Sequence, residues 1–198
     1  MSSDTAGTHG FQQQRGKRRS GHLPRALEQW RTLFSLAREV ASSLDPQKVL
    51  TSVVEEARRF VGTDTAFISL IPPDKEELRV TAWSGLRSIE MQQLVLRVDE
   101  GIAGVVLAEG KPVIVEDFSK WLRPRGLPTR AIEAEGLVSN IAVPFAARGK
   151  TLGVLYVANR RPTAFSEEQA ELLEALASMA ALAVENGRMY ESVRRLQY

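Results

Sequence analysis

The sequence predicts an α+β domain: a central antiparallel sheet of five or six strands, a bundle of the N- and C-terminal helices on one face, and short helices and loops over a pocket on the other. Three observations carry this. Residues 138–159, VSNIAVPFAARGKTLGVLYVAN, read as two apolar runs around a short polar break, the pattern of a buried hairpin. Residues 65–71 and 78–84 read as a second strand pair joined by Pro72-Pro73-Asp74. Apolar residues then recur at spacings of three and four near both ends of the chain, which marks long amphipathic helices.

The hairpin organises the rest. With Arg148-Gly149 as its turn and strict alternation on either side, Ile141, Val143 and Phe145 share a face with Leu152, Val154 and Tyr156. Ala142, Pro144, Ala146 and Gly153 fall on the other. Both faces should therefore be covered, one by bulky core and one by closely approaching backbone or helices. Pro144 has no N–H for a ladder, so it implies a bulge or an unpaired position nearby.

In chain order, residues 1–24 are polar and basic without apolar periodicity and are expected to form a disordered tail. A single domain follows over 25–198. Leu27, Trp30, Phe34, Ala37 and Ala41 predict a helix over 26–43. Asp45-Pro46 supplies an N-cap and a first-turn proline for a second helix that buries Val49, Leu50, Val53, Val54, Ala57 and Phe60 and stops at Gly62. After the first strand pair, residues 91–98 offer a short third strand. Residues 101–109 form a glycine-started helix closed by Gly110, and 113–115 another strand. Residues 116–130 are a polar loop with Asp117, Phe118 and Trp121, and one or two helical turns end at Gly136.

The last helix is capped by Ser166 and spans 166–196. Leu172, Ala175, Met179, Leu182, Asn186, Met189, Val193 and Leu196 form a heptad seam along it. The seam continues past the point where a sheet can bury it, so it predicts a parallel homodimer, joined also through Leu27, Trp30 and Phe34. Asn186, polar on an apolar seam, either fixes register by pairing with its symmetry mate or is solvated.

Composition narrows the function. There is no cysteine, which removes disulfides, thiolate metal sites and thiol nucleophiles, and both histidines, His9 and His22, precede the domain. No metal site, no cofactor and no catalytic centre are expected, because no nucleophile with a neighbouring base can be assembled. No apolar run reaches about 18 residues and no signal-peptide segment opens the chain, so a cytoplasmic protein without membrane contact is expected. The net charge is +2, and residues 1–25 contribute +4 of it, leaving the remainder at −2. The Arg15–Arg19 cluster reads as a solvated arm in preference to a nucleic-acid contact.

Taken together, Asp64-Thr-Ala-Phe-Ile-Ser-Leu70, Glu100-Gly-Ile-Ala-Gly104, Gly110-Lys-Pro-Val-Ile-Val-Glu-Asp117, Val143-Pro-Phe145 and Gly153-Val-Leu155, in this order and spacing, resemble the GAF domain family over residues 28–192. The resemblance implies a sensor module with a small-molecule pocket on one face of an antiparallel sheet, dimeric helices near the termini, and an output domain C-terminal to it in a longer parent protein: a histidine kinase, cyclase or transcription regulator. Bilin attachment and methionine-sulfoxide reduction in that family use cysteine, and haem binding uses a domain histidine. This chain lacks both.

The residues expected around the unknown small molecule are Phe67, Ser69, Trp83, Ser139 and Tyr156 on strands, and Gly101, Ile102, Ala103 and Gly104 at a helix start whose free N–H groups can receive an anion. Phe118 and Trp121, on a loop with Arg123, Arg125 and Arg130, are expected to form an aromatic lid with a cation, and Asp117 on the same loop is expected to reach the ligand. The alternatives are close glycine packing and a satellite apolar patch. A ligand-free dimerisation scaffold is the competing function.

Overall fold

The computed structural model describes residues 45–121 and 126–195, with residues 31 and 35 as isolated helical positions and side chains of the last helix up to residue 190. The expected basic tail and most of the first expected helix lie outside the described residues. The elements in order are α1 (Pro46–Val61), β1 (Thr65–Leu70), β2 (Glu77–Ser84), α2 (Ile89–Gln92), β3 (Val95–Arg97), α3 (Gly101–Glu109), β4 (Val113–Val115), a 3-10 turn (Phe118–Lys120), α4 (Thr129–Glu135), β5 (Ser139–Ala147), β6 (Lys150–Asn159) and α5 (Glu167–Arg195).

All six strands join one antiparallel sheet in the order β3-β2-β1-β6-β5-β4. The two hairpins are thus joined through β1 and β6 at the centre, and the shortest strands form the edges. Helices α1 and α5 pack against each other, α1 also on β1 and β2 and α5 on β5, while α3 packs on β5 and β6 from the other side.

Local signals explain the helix ends. The Asp45 carboxylate accepts from the Gln47 N–H at 3.0 Å, Pro46 occupies the first turn, and Gly62 ends α1 at φ 73°. Ser166 and Gln169 exchange hydrogen bonds across the start of α5, with the Gln169 N–H reaching Ser166 Oγ at 3.1 Å and the Ser166 N–H reaching Gln169 Oε1 at 2.9 Å. The third expected strand is shorter than residues 91–98, because Ser88 caps the one-turn helix α2 first. Phe60 is only half-buried, since it lies at the margin of the α1 stripe.

The hairpin faces need correction. The turn is Arg148-Gly149, both at positive φ (50° and 75°), and Ala147 pairs with Lys150 as strict alternation requires. Phe145 then pairs with Gly153 and Ala146 with Thr151, so Leu152 is an extra residue on β6. That single insertion reverses every later side chain of β6. Leu152, Leu155 and Val157 join Ile141, Val143 and Phe145 on the helix face, whereas Val154 and Tyr156 join Ala142 on the pocket face. Pro144 itself is paired, with Val154, one position from the bulge. Gly153 is obligatory for a different reason: a Cβ there would lie 2.0 Å from the Ser69 carbonyl oxygen of β1.

Candidate functional site

Alternation along β1, β5 and β6 places Ser69, Phe67, Asn140, Ala142, Val154 and Tyr156 on the face away from α1 and α5. Phe67 and Tyr156 are direct partners across β1 and β6, and their rings stack at 4.5 Å between centroids and 13° between planes. Above them lies a cavity lined by Phe67, Ser69, Asn140 and Tyr156 from the strands, Ile102 and Ala103 from α3, Ile132 from α4, and Met91, Leu94, Leu96, Phe118, Leu127, Pro128 and Leu137 from the connections. The cavity volume is ≈ 40 Å³. No charged side chain is among these lining residues. Burial pushes the Tyr156 hydroxyl well above the ordinary tyrosine range, a hydrogen bond with the Ser69 hydroxyl offsets this only in part, and so the phenol stays neutral.

Of the residues expected around a ligand, Phe67, Ser69, Ile102, Ala103, Phe118 and Tyr156 come together at this cavity. The others sit elsewhere. Trp83 pairs with Phe67 but is 41 % exposed. Ser139 is buried and donates to the Arg161 carbonyl at 2.8 Å. Asp117 accepts from the Ser119 hydroxyl at 2.6 Å and the Ser119 N–H at 2.9 Å, bonds that hold its carboxyl below the ordinary range and fix the 3-10 turn. Trp121 lines a separate shallow groove with Lys120 and Pro162, and Arg130 is exposed on the first turn of α4. At Gly104 a Cβ would lie 2.6 Å from the Asp99 carbonyl oxygen, so the absent side chain lets α3 lie close to the preceding turn. Phe118 and Trp121 both pack against the pocket-face core, and the other two expected lid cations, Arg123 and Arg125, lie outside the described residues.

Asn140 was not among the expected residues. The available signal was its register, two residues before Ala142 and therefore on the same face. The other lining residues come from connections between elements, where no periodicity reports which way a side chain points.

A second polar cluster holds the cover in place. The Glu135 side chain, 0 % exposed at the end of α4, accepts the backbone N–H groups of Arg87 (3.0 Å) and Ser88 (2.7 Å) and pairs with the Arg160 guanidinium. Arg160 also donates to the carbonyl oxygens of Glu135 and Gly85, each at 3.0 Å, and its N–H donates to Asp64. Burial pushes the Glu135 carboxyl up, but the Ser88 and Arg87 donors and Arg160 outweigh it and hold the carboxyl below its ordinary value. The cluster ties α4 to the loop after β2 and to the end of β6.

On the opposite face, α5 buries Leu173, Leu176, Ala177, Ala180, Ala181 and Val184. The predicted seam points the other way: Leu172 and Met179 are half-buried, and Leu182 and Met189 are 41 % and 49 % exposed. Asn186 is exposed and accepts from Arg148 Nη2 at 3.0 Å, which ties the β5–β6 turn to α5. The side chains of Leu27, Trp30, Phe34, Val193 and Leu196 lie outside the described residues. Among the described residues no helix is long and apolar enough to cross a membrane, and no cluster of three or more His, Cys, Asp or Glu can hold a metal ion.

A six-stranded antiparallel sheet with terminal helices on one face and an apolar cavity on the other is the GAF architecture, and the chain belongs to the GAF domain family, whose model matches residues 43–185. Its relatives are regulators by name. It is 29% identical over 166 residues to the Nif-specific regulatory protein of Herbaspirillum seropedicae, covering 82% of this chain and 30% of that protein. It is 31% identical over 113 residues to the HTH-type transcriptional activator RamA of Corynebacterium glutamicum, covering 57% and 40%. This chain therefore spans less than half the length of either. Among solved structures, the GAF domain of a phosphoenolpyruvate-protein phosphotransferase from Coxiella burnetii superposes with a TM-score of 0.73 at 22% identity, covering 84% of this chain and 98% of that one, a likeness of fold.

Proposed function

We propose that the chain is a non-catalytic, cytoplasmic sensor module. A small molecule binds on the pocket face, and α5, paired with its counterpart in a parallel homodimer, passes the bound state to an output domain C-terminal to it in a longer protein. A transcription regulator is the favoured output over a histidine kinase or cyclase, because the relatives above are named as transcriptional or Nif-specific regulators.

The observation that carries this reading is the division of labour across one set of strands. Residues 67, 140 and 156 meet the cavity, while residues 141, 143 and 155 on the same strands meet the helix layer. A ligand that prefers one packing of the pocket face therefore biases what α5 rests on. The exposed Leu182 and Met189 on the outer stripe of α5 support pairing with a second copy.

The small cavity favours one second reading, a ligand-free dimerisation scaffold. Thermal melting against a library of nucleotides, organic acids and aromatic metabolites separates the two. A sensor is stabilised by some compound in proportion to the logarithm of its concentration, and a scaffold by none.

A further inference from the structure

Arg148 occupies the β5–β6 turn at φ 50°, a left-handed position where hairpin turns favour Asn, Asp or Gly. Its side chain crosses from the turn to α5. Nη2 donates to Asn186 Oδ1 at 3.0 Å, Nη1 lies 3.7 Å from Met189 Sδ, and Nε stands 3.8 Å from the Glu185 carboxylate. These contacts fall just beyond Val184, the last buried apolar side chain of α5 among the described residues. Asn186 and Met189 are exposed and belong to the outward seam of α5, not to the stripe that rests on the sheet.

We propose that Arg148 is an autoinhibitory contact: it holds groups of the α5 seam on its own subunit and so opposes the pairing of α5 with a second copy of this chain. The inference rests on the homodimer reading and adds its regulation. A polar residue on an apolar seam sets register by bonding its symmetry mate, but here the Asn186 oxygen is engaged within the subunit. Closing a seam over Met189 would also bury the Arg148 side chain, which is 52 % exposed, and its counter-charge on Glu185 is too distant for a hydrogen bond. Pairing therefore requires Arg148 to swing away and lose its contacts. The strands on either side of the turn carry Ala142, Val154 and Tyr156 on the pocket face, so a shift of this hairpin moves Arg148 relative to α5.

The test uses the full 198-residue chain and reads self-association by sedimentation equilibrium from about 1 µM to about 1 mM. Arg148→Asn suits the left-handed turn position and removes the reach to α5. Arg148→Ala is the second variant, so that a folding defect in one does not decide the outcome, and Leu182→Lys, which charges the seam, is the reference for lost pairing. Two weak, exposed contacts are released per dimer, so both Arg148 variants should lower the dimer dissociation constant at least about fivefold. Raising the ionic strength from about 0.05 M to about 0.5 M should tighten the parent dimer more than either variant, because only the parent has the Arg148 to Glu185 attraction to screen.

A monomeric parent with dimeric Arg148 variants is the strongest form of the expected result. Dissociation constants in both variants equal to or weaker than the parent's overturn the inference. The homodimer reading then still stands if the parent dimerises and Leu182→Lys does not. Parent and Arg148 variants that all stay monomeric across the range remove both.

Discussion

On the side of the sheet facing α1 and α5, Ile68, Ile141, Val143, Phe145, Leu155 and Val157 are wholly buried and meet a helix stripe rich in alanine, at 177, 180 and 181. On the other side, Phe67 and Tyr156 are nearly as buried but share their layer with a cavity, a buried Asn140 whose Oδ1 has no hydrogen-bond partner among the described residues, and a cover made largely of connections. Small residues on α5 let the helix lie close to the sheet, and the side chains between them are closed to solvent. The second is held by short helices and by one buried ion-pair cluster. The same strands thus carry a layer packed against helices on one side and a layer that borders a cavity on the other.

The largest expected effect tests the layer packed against helices. Phe145→Ala should cost about 3–5 kcal/mol in denaturant unfolding, because it leaves a void that close-packed neighbours cannot fill. A loss comparable to that of a surface substitution would erase the contrast between the two layers. Glu135→Gln comes next, at about 2–3 kcal/mol, because Arg160 and two backbone donors lose their charged acceptor.

The Glu135 effect has a pH signature. Its folded-state carboxyl lies below the unfolded value, so its contribution is complete above about pH 4.3 and fades as pH falls through the depressed folded value. The stability difference between parent and Glu135→Gln, measured by urea titration from pH 7 to pH 3, should shrink only in that acid range. A difference that stays constant down to pH 3 would mean that the carboxylate is not what holds the cover.

Ile132→Ala on the cover should cost less than about 2 kcal/mol, since its half-buried side chain already borders empty space. A cost equal to that of Phe145→Ala would show the two layers to be equally packed. The smallest effect on the fold belongs to Leu182→Lys, within about 0.5 kcal/mol for the isolated subunit. Light scattering should nonetheless show that this variant lowers the dimer mass expected of the parent.

Much of this was legible in the residues, for reasons that differ by element. Asp45-Pro46, Gly62 and Ser166 to Gln169 act through local backbone chemistry, so α1 and the start of α5 are readable one residue at a time. The bulge at Leu152 is not, because an extra residue in a strand is chosen by its partner strands, here with β1 pressed against Gly153. That one residue moved Tyr156 from the expected core face to the face where it stacks on Phe67. Arg130, one of three cations expected on the lid, is exposed on the first turn of α4, and the other two, Arg123 and Arg125, lie outside the described residues. Asn140 was hidden inside an apolar run whose register mattered more than its composition.

Hydrogen–deuterium exchange of the full chain, with and without a compound that raises its melting temperature, reaches the central idea most directly. The account predicts slowed exchange in β1, β6, α3 and α4 around the cavity, together with altered exchange in α5 on the opposite face. Protection confined to segments outside the cavity, or a pocket response that leaves α5 unchanged, would contradict it.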